Sequence, residues 1–388
     1  MIAKILIYVL LLILIPHVYI YFRYLRRRCQ SWWKRLLCFL PAILMIVYTL
    51  WLGTLRDFVP DNMTIVNTYL FLLGLLVVPT FVFTLFSSIG WGCQKLFHLR
   101  YNIGSAIGIV FIPLIWYVLI VGSTCGFESL RVRHVTITSA DLPAAFDGYR
   151  IVHFSDAHLG SYSPSRHWVV QRAIDSVNAQ HTDAIVFTGD LQNRQPSEVE
   201  PFLPLLSQLK APDGVYSVLG NHDYPTYVQT TDDVKRDNFH RLVGMQQSMD
   251  WHLLINDREI IRRGNDSIVI AGMENDGDGK HFPQLGNINH TLRQVSRSSY
   301  VVMLQHDPSS WRRKILPHSH AQLTLSGHTH AMQFTLFGWS PVDFIYREWG
   351  GLYRIGNRHL YVSTGLGGFI PFRFGVPGEV VVITLRRS

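Results

Sequence analysis

Ala184-Ile185-Val186-Phe187-Thr188-Gly189-Asp190 runs from four apolar residues straight into a threonine, a glycine and a carboxylate. A short apolar run with β-branched and aromatic members suits a strand buried on both faces. An acidic residue at its end suits the edge of an α/β sheet where ligands gather. Four other stretches repeat this design: Ser155-Asp156-Ala157-His158, Gly220-Asn221-His222-Asp223, His306-Asp307 and Gly327-His328-Thr329-His330 each follow a strand-like run. Five strand ends therefore converge on one edge.

Working outward, strands are expected at 149–155, 184–188, 215–219, 267–272, 300–305, 321–326, 359–364 and 379–385, and helices at 164–180, 197–209, 232–248 and 308–314. Alternation of this kind predicts an α/β domain with helices covering both faces of its strands. Before residue 125 the chain changes character. Residues 2–22, 36–55, 66–88 and 103–122 are each about 20 mostly apolar residues, long enough to cross a hydrocarbon core. The first exceeds a signal-peptide core and lacks a small-residue cleavage site, so it is expected to stay attached. The composition shift at Gly122 to Arg131 predicts a four-helix membrane anchor over 1–125 and a second module over 126–388.

The formal charge of +8 first suggests nucleic acid, but six of the basic residues, Arg23, Arg26, Arg27, Arg28, Lys34 and Arg35, crowd one loop between apolar runs. There they read as a topology signal. With Lys95 and Arg100 in the third loop, and Arg56 balanced by Asp57 and Asp61 in the second, the first and third loops are expected in the cytoplasm. The second module then falls on the periplasmic or extracellular side. No dense basic stripe with interleaved aromatics follows residue 131, and no nucleic-acid partner is expected. The four cysteines, Cys29, Cys38, Cys93 and Cys125, show no metal or redox spacing and read as packing residues.

The polar clusters offer carboxylate, amide and imidazole ligands without thiolate, a mixture suited to Mn²⁺, Fe or Zn²⁺. Asp156 with His158, and His328 with His330, are pairs two residues apart that can turn toward one ion. Asp190 is the natural carboxylate to bridge two cations about 3.5–4 Å apart. Asn221 adds a neutral oxygen ligand. His222 can serve as a proton donor near a leaving group, with Asp223 available to orient its ring.

Taken in order, Asp156-Ala-His158, Gly189-Asp190, Gly220-Asn-His-Asp223, His306 and Gly327-His-Thr-His330 resemble the full signature of the calcineurin-like metallophosphoesterases, over roughly 149–385. The resemblance implies a four-layer αββα sandwich. It also implies a first metal held by Asp156, His158, Asp190 and His330, and a second held by Asp190, Asn221, His306 and His328, with His222 in protonation or phosphate binding. The tail from Val362 through Pro371-Phe-Arg373 to Glu379 resembles the exported or membrane-bound phosphodiesterase branch. UDP-diacylglucosamine hydrolases are more distant relatives. Asn193 and Met332 depart from the common pattern at positions that bear on substrate fit.

The expected function is hydrolysis of a phosphomonoester or phosphodiester by a hydroxide bridging two metals, with Mn²⁺ the first choice. Anchoring at a bilayer points to a lipid-linked or envelope substrate. A transporter or sensor with a regulatory metal site is the competing reading, weakened by the lack of paired carboxylates in the apolar segments. Among the remaining polar residues, Arg194 reads as a surface arginine, His153 as a satisfied core histidine, and Glu274-Asn275-Asp276 with Asp278 as a solvated turn. The aromatic series Phe334, Phe337, Trp339, Phe344, Tyr346, Trp349, Tyr353, Phe369, Phe372 and Phe374 combines core with an interfacial surface. Oligomeric state is not legible.

Overall fold

A computed structural model describes residues 2–55, 62–279 and 282–388, with side chains from residue 6 onward. Its contacts divide the chain into Met1–Thr124 and Cys125–Ser388.

The first unit is helical. Leu6–Arg28, Trp32–Thr54, Met63–Leu96 and Ile103–Gly126 are each long and apolar enough to cross a membrane, and most of their side chains face outward. Ile13, Ala42, Met45, Leu52, Tyr69 and Val77 form a small interior, and Thr49 and Tyr69 share a hydrogen bond of 2.9 Å within it. The helices outrun the expected apolar stretches. Arg23, Arg26, Arg27, Arg28, Lys34 and Arg35 all lie on helix instead of loop, and so does Lys95. Long basic side chains carry their charge to water along a flexible stem, so the helical backbone continues past the apolar core. Six residues of the second loop, including Arg56, Asp57 and Asp61, lie outside the described residues.

Among the described residues the second unit holds twelve strands: β1 Leu130–Ser139, β2 Arg150–Phe154, β3 Ala184–Phe187, β4 Val215–Ser217, β5 Trp251–Leu253, β6 Asp257–Arg263, β7 Asp266–Gly272, β8 Tyr300–Leu304, β9 Leu323–Ser326, β10 Gly351–Ile355, β11 Arg358–Val362 and β12 Gly378–Arg387. They form two six-stranded sheets, ordered β1-β12-β2-β3-β4-β5 and β10-β11-β9-β8-β7-β6. β2, β3, β4 and β5 are parallel in the first sheet, and β7, β8, β9 and β11 are parallel in the second.

Strand periodicity explains the layers. Ile151, Ala184, Val186, Ile383, Tyr300, Val302 and Leu325 share a core between the two sheets. Their neighbours Val152, Ile185, Phe187 and Val382 face outward under the helices His167–Asn178 and Asp232–Ser248. On the other side, Val301, Met303 and Leu360 pack against Ile288, Trp311 and Ile315 from short helical segments. Each inner strand is apolar on both faces, as its continuous run predicted, and a one-residue slip would exchange the two sets. The result is a four-layer αββα sandwich.

All eight expected strands form, within a residue or two at most ends. The expected helix at 197–209 is instead three short turns, Pro196–Glu198, Glu200–Phe202 and Leu203–Leu206. Pro201 and Pro204 lack the amide donors that a continuous helix needs. The acidic turn is not solvated at Asp276, which is fully buried and accepts hydrogen bonds from Arg313 at 2.9 Å and Lys314 at 2.5 Å.

Phe187 is fully buried beneath the outer helices and touches Phe154 and Trp251. Phe187→Ala is expected to cost about 3–5 kcal/mol of stability. Chemical denaturation of the detergent-solubilised chain checks this, and a cost below about 1 kcal/mol would contradict the packing described.

Candidate metal centre

The loops after β2, β3 and β4 in the first sheet carry Asp156, His158, Asp190 and Asn221, and those after β8 and β9 in the second carry His306, His328 and His330. The site therefore lies where the two sheets meet. All seven expected side chains come together there, and Asp156, His158, Asp190, Asn221 and His306 are buried.

Asp190 is the common member. Its Oδ2 lies 3.4 Å from His158 Nε2 and 3.2 Å from His306 Nε2, while its Oδ1 accepts the His222 amide at 2.7 Å. On one side of it Asp156, His158 and His330 bring donor atoms within 4.8 Å of one another and of Asp190, and on the other His306 and His328 do the same. His330 Nε2 is 3.2 Å from Asp156 Oδ1, and Asn221 Oδ1 is 2.7 Å from His328 Nδ1 and 3.1 Å from His306 Nε2.

Local backbone shape delivers these groups. Asp156, His158, Asp190, His328 and His330 all have positive φ, between 44° and 74°, as do Ala331, Met332 and Gln333. Such conformations cost about 1–2 kcal/mol each outside glycine, and clusters of them mark functional sites. Two glycines permit close approaches to these carboxylates. A Cβ at Gly220 would collide with the Asp190 carboxylate, and one at Gly327 with Ser155 Oγ and Asp156 Oδ2.

The donor chemistry fits cations. His158 Nε2 and His330 Nε2 face each other at 3.1 Å, where at most one can hold a proton, and neither Nδ1 has a hydrogen-bond partner among the described residues. Burial and the nearby Asp190 charge push the Asp156 carboxyl up, outweighing His306 and His158. Burial also opposes ionisation of Asp190, but His306 and His222 and the hydrogen bonds to histidine hold it well below the usual carboxylate range. His306 loses stability as a cation through burial, yet the Asp190 charge raises it to about 10. Two buried carboxylates surrounded by imidazole lone pairs are what divalent ions with mixed oxygen and nitrogen ligands require. No cysteine lies in this unit beyond Cys125, which is exposed.

Supporting contacts set the tautomers. His306 Nδ1 donates to the Thr188 carbonyl at 2.7 Å, which leaves Nε2 as the nitrogen that could hold a cation and ties the second sheet to the first. His222 Nδ1 donates to the Asn193 carbonyl at 2.7 Å, and its ring stacks on Tyr227 with centroids 4.0 Å apart. Burial lowers the His222 imidazole to about 4.

The expected pairing of Asp223 with that ring does not form. The Asp223 carboxylate accepts the amides of Asp190 at 2.8 Å, Leu191 at 2.9 Å and Gly220 at 2.9 Å. Its side chain turns back to staple the β3 and β4 loops together, because unpaired buried amides cost more than a freely oriented imidazole. Arg194 is likewise buried and not a surface residue, with its Nε 3.5 Å from the Tyr227 carbonyl. His153 is buried 2.8 Å from Thr188 Oγ1, beside the site but outside it.

Three aromatic residues reach the site without a local motif. Tyr227 accepts from Asn221 Nδ2 at 2.6 Å, Tyr346 lies 2.8 Å from His328 Nε2, and the Phe369 ring is 5.4 Å from His222. Tyr346 and Phe369 were visible only as members of an aromatic series, since loop positions carry no periodicity to select them. Arg373 is fully buried and donates to the Thr364 and Gly365 carbonyls at 2.8 and 2.9 Å, behind Asp156.

An αββα sandwich with carboxylates and histidines at its strand ends defines a metal-dependent hydrolase class. The calcineurin-like phosphoesterase pattern matches residues 149–332. Uncharacterized metallophosphoesterase YkuE of Bacillus subtilis (strain 168) is 30% identical over 265 residues, 65% of this chain and 84% of that protein. A transmembrane protein with metallophosphoesterase domain from Danio rerio is 29% identical over 66% of this chain and 58% of its own length. UDP-2,3-diacylglucosamine pyrophosphatase LpxG of Chlamydia trachomatis serovar D is 25% identical over 65% of this chain and 89% of that protein. The chain belongs to the calcineurin-like phosphoesterase family. It is thus a phosphoric ester hydrolase, and its four long apolar helices make it a membrane protein.

Asp223→Asn is expected to destabilise the protein by about 1–3 kcal/mol, because an amide NH₂ would face amides that need an acceptor. Bound metal should fall with it. Unchanged melting temperature and metal content, with loss of turnover alone, would restore the ring-orienting role.

Proposed function

We propose that residues 126–388 hydrolyse phosphoester bonds with two divalent cations, and that residues 1–125 anchor this activity in a membrane. The observation that carries the reading is the shared Asp190 Oδ2, flanked by one histidine from each donor set. Asp156, His158, Asp190 and His330 are assigned to one ion, and Asp190, Asn221, His306 and His328 to the other. Mn²⁺ is favoured for both, since the donor set is oxygen and imidazole without thiolate. When bound, such a pair acidifies the attacking water and neutralises charge on the phosphoryl oxygens.

The chain's own residues do the rest. Asp223 and Gly220 hold the Asp190 and Asn221 loops in register. His222 exchanges its proton at Nε2 alone, because Nδ1 is committed to the Asn193 carbonyl. Tyr227 stacks against that ring and keeps it turned toward the leaving oxygen. Tyr346 fixes one nitrogen of His328, leaving the other toward Asn221 and His306.

A lipid-linked or envelope phosphoester is the proposed substrate class. It is supported by the apolar helices and by a relative named for pyrophosphate cleavage in a diacylated sugar nucleotide. The basic residues Arg23, Arg26, Arg27, Arg28, Lys34, Arg35, Lys95 and Arg100 support a periplasmic or extracellular active site.

Asp190→Asn should abolish hydrolysis of a soluble aryl phosphodiester and deplete bound metal while the chain still folds. Full turnover in that variant would sink the assignment. Chelation of the wild-type protein should remove activity, with Mn²⁺ restoring it. His222→Ala should retain metal and lower kcat by about 10²–10⁴-fold, the span of a lost proton-transfer group. Metal analysis beside steady-state kinetics separates the two variants.

A further inference from the structure

The segment 332–347 leaves the loop that carries His328 and His330 and returns to it. At one end it continues from His330, with Ser340 Oγ bonded to the Ala331 carbonyl at 2.7 Å, and at the other Tyr346 meets His328. Between these anchors the chain turns outward. Leu336 and Trp339 pair through two backbone hydrogen bonds of 2.8 and 3.0 Å, with Phe337 and Gly338 as the tip of a tight hairpin.

The side chains on this projection are the reverse of what water selects. Phe337 is 100% exposed, Phe344 83% and Ile345 68%, with Leu336, Trp339 and Met332 each close to half exposed. Phe337 also has φ of +51°, a conformation in which asparagine or glycine is easier to hold. A bulky apolar residue placed there gains nothing from the unit's own core. Contiguous exposed apolar surface of this kind marks an interaction site.

Its charged border indicates the partner. A cavity of about 270 Å³ beside the hairpin is lined by Gly338, Thr335 and Trp349 together with Arg131 and Arg133. Arg131 is exposed and has no ion pair among the described residues; Arg133 lies 3.7 Å from Glu379, and Arg347 on the other flank is 76% exposed and 3.8 Å from Glu348. Apolar tips, a tryptophan and flanking arginines are the composition of a surface that enters the headgroup boundary of an anionic bilayer. β1 begins at Leu130, a few residues along the chain from the end of the last apolar helix at Gly126.

We infer that the hairpin around Phe337, with Phe344 and Ile345, inserts into the membrane interface, and that Arg131, Arg133 and Arg347 bind anionic phospholipid headgroups beside the metal centre. The docking itself is independent of catalysis; its value for reaching a lipid-linked phosphoester rests on the proposed function.

The test uses the full chain in nanodiscs of phosphatidylcholine with phosphatidylglycerol. p-Benzoylphenylalanine replaces Phe337, Phe344 or, as a control, half-exposed Ile260 on β6, the far edge of the same sheet. Unchanged melting temperatures certify folding. Irradiation should give phospholipid adducts at 337 and 344 in at least about fivefold excess over 260, as expected for side chains held in the acyl boundary. Arg131→Glu with Arg133→Glu should reduce that excess in nanodiscs containing phosphatidylglycerol. Adducts to protein instead of lipid, or equal yields at all three positions, would overturn the inference. Hydrolysis of a soluble aryl phosphodiester, assayed in parallel, reports on the phosphoesterase reading separately.

Discussion

One buried oxygen, Asp190 Oδ2, stands between a histidine of the first sheet's loops and a histidine of the second sheet's. Holding it there is the constraint on which the rest of this structure depends. The two sheets must keep a fixed separation, and the apolar layer of Ile151, Val186, Tyr300, Val302 and Leu325 sets it. Stacked sheets pack about 10 Å apart, too far for their strand axes to share a ligand, so the loops must lean inward. The run of positive φ at Asp156, His158, Asp190, His328 and His330 is that inward lean expressed in the backbone.

Backbone strain of this kind persists only where surrounding contacts over-determine it. The Asp223 carboxylate gathers the amides of the β3 and β4 loops, the Asp156 carboxylate accepts the His328 amide at 3.0 Å, and His306 bonds to the Thr188 carbonyl. The last two cross from one sheet to the other. Polar groups that would be costly to bury alone therefore act as the fastening between layers, and they leave the imidazole lone pairs directed at the shared centre.

The same economy governs what lies outside the centre. Of the aromatic series that follows His330, Tyr346 turns in to His328 while Phe337 and Phe344 turn out to solvent. The segment links the reactive groups to an apolar surface in one short excursion. In the first unit the apolar residues also face outward, along helices that exceed the length of a hydrocarbon core. Both units thus display apolar surface for which water is the wrong partner.

Most of the inner architecture was legible from residue order. The eight expected strands are the buried ones, where a continuous apolar run is obligatory. The four not expected, β1, β5, β6 and β10, are the four sheet edges. Edge strands need pairing on one side only and carry charges that deter further pairing, such as Arg131 and Arg133 on β1 or Arg258 and Arg262 on β6, so their periodicity is weak. The seven candidate metal-site residues were visible because each sits within a few residues of its own strand end. What order could not convey was the partner of each polar atom: that Asp223 serves backbone amides, that Asn193 offers its carbonyl to His222, and that Tyr227, Tyr346 and Arg373 close around the site. Those pairings join residues far apart in the chain. They are selected by the cost of leaving buried polar groups unpaired, and that cost applies only once the two sheets have packed.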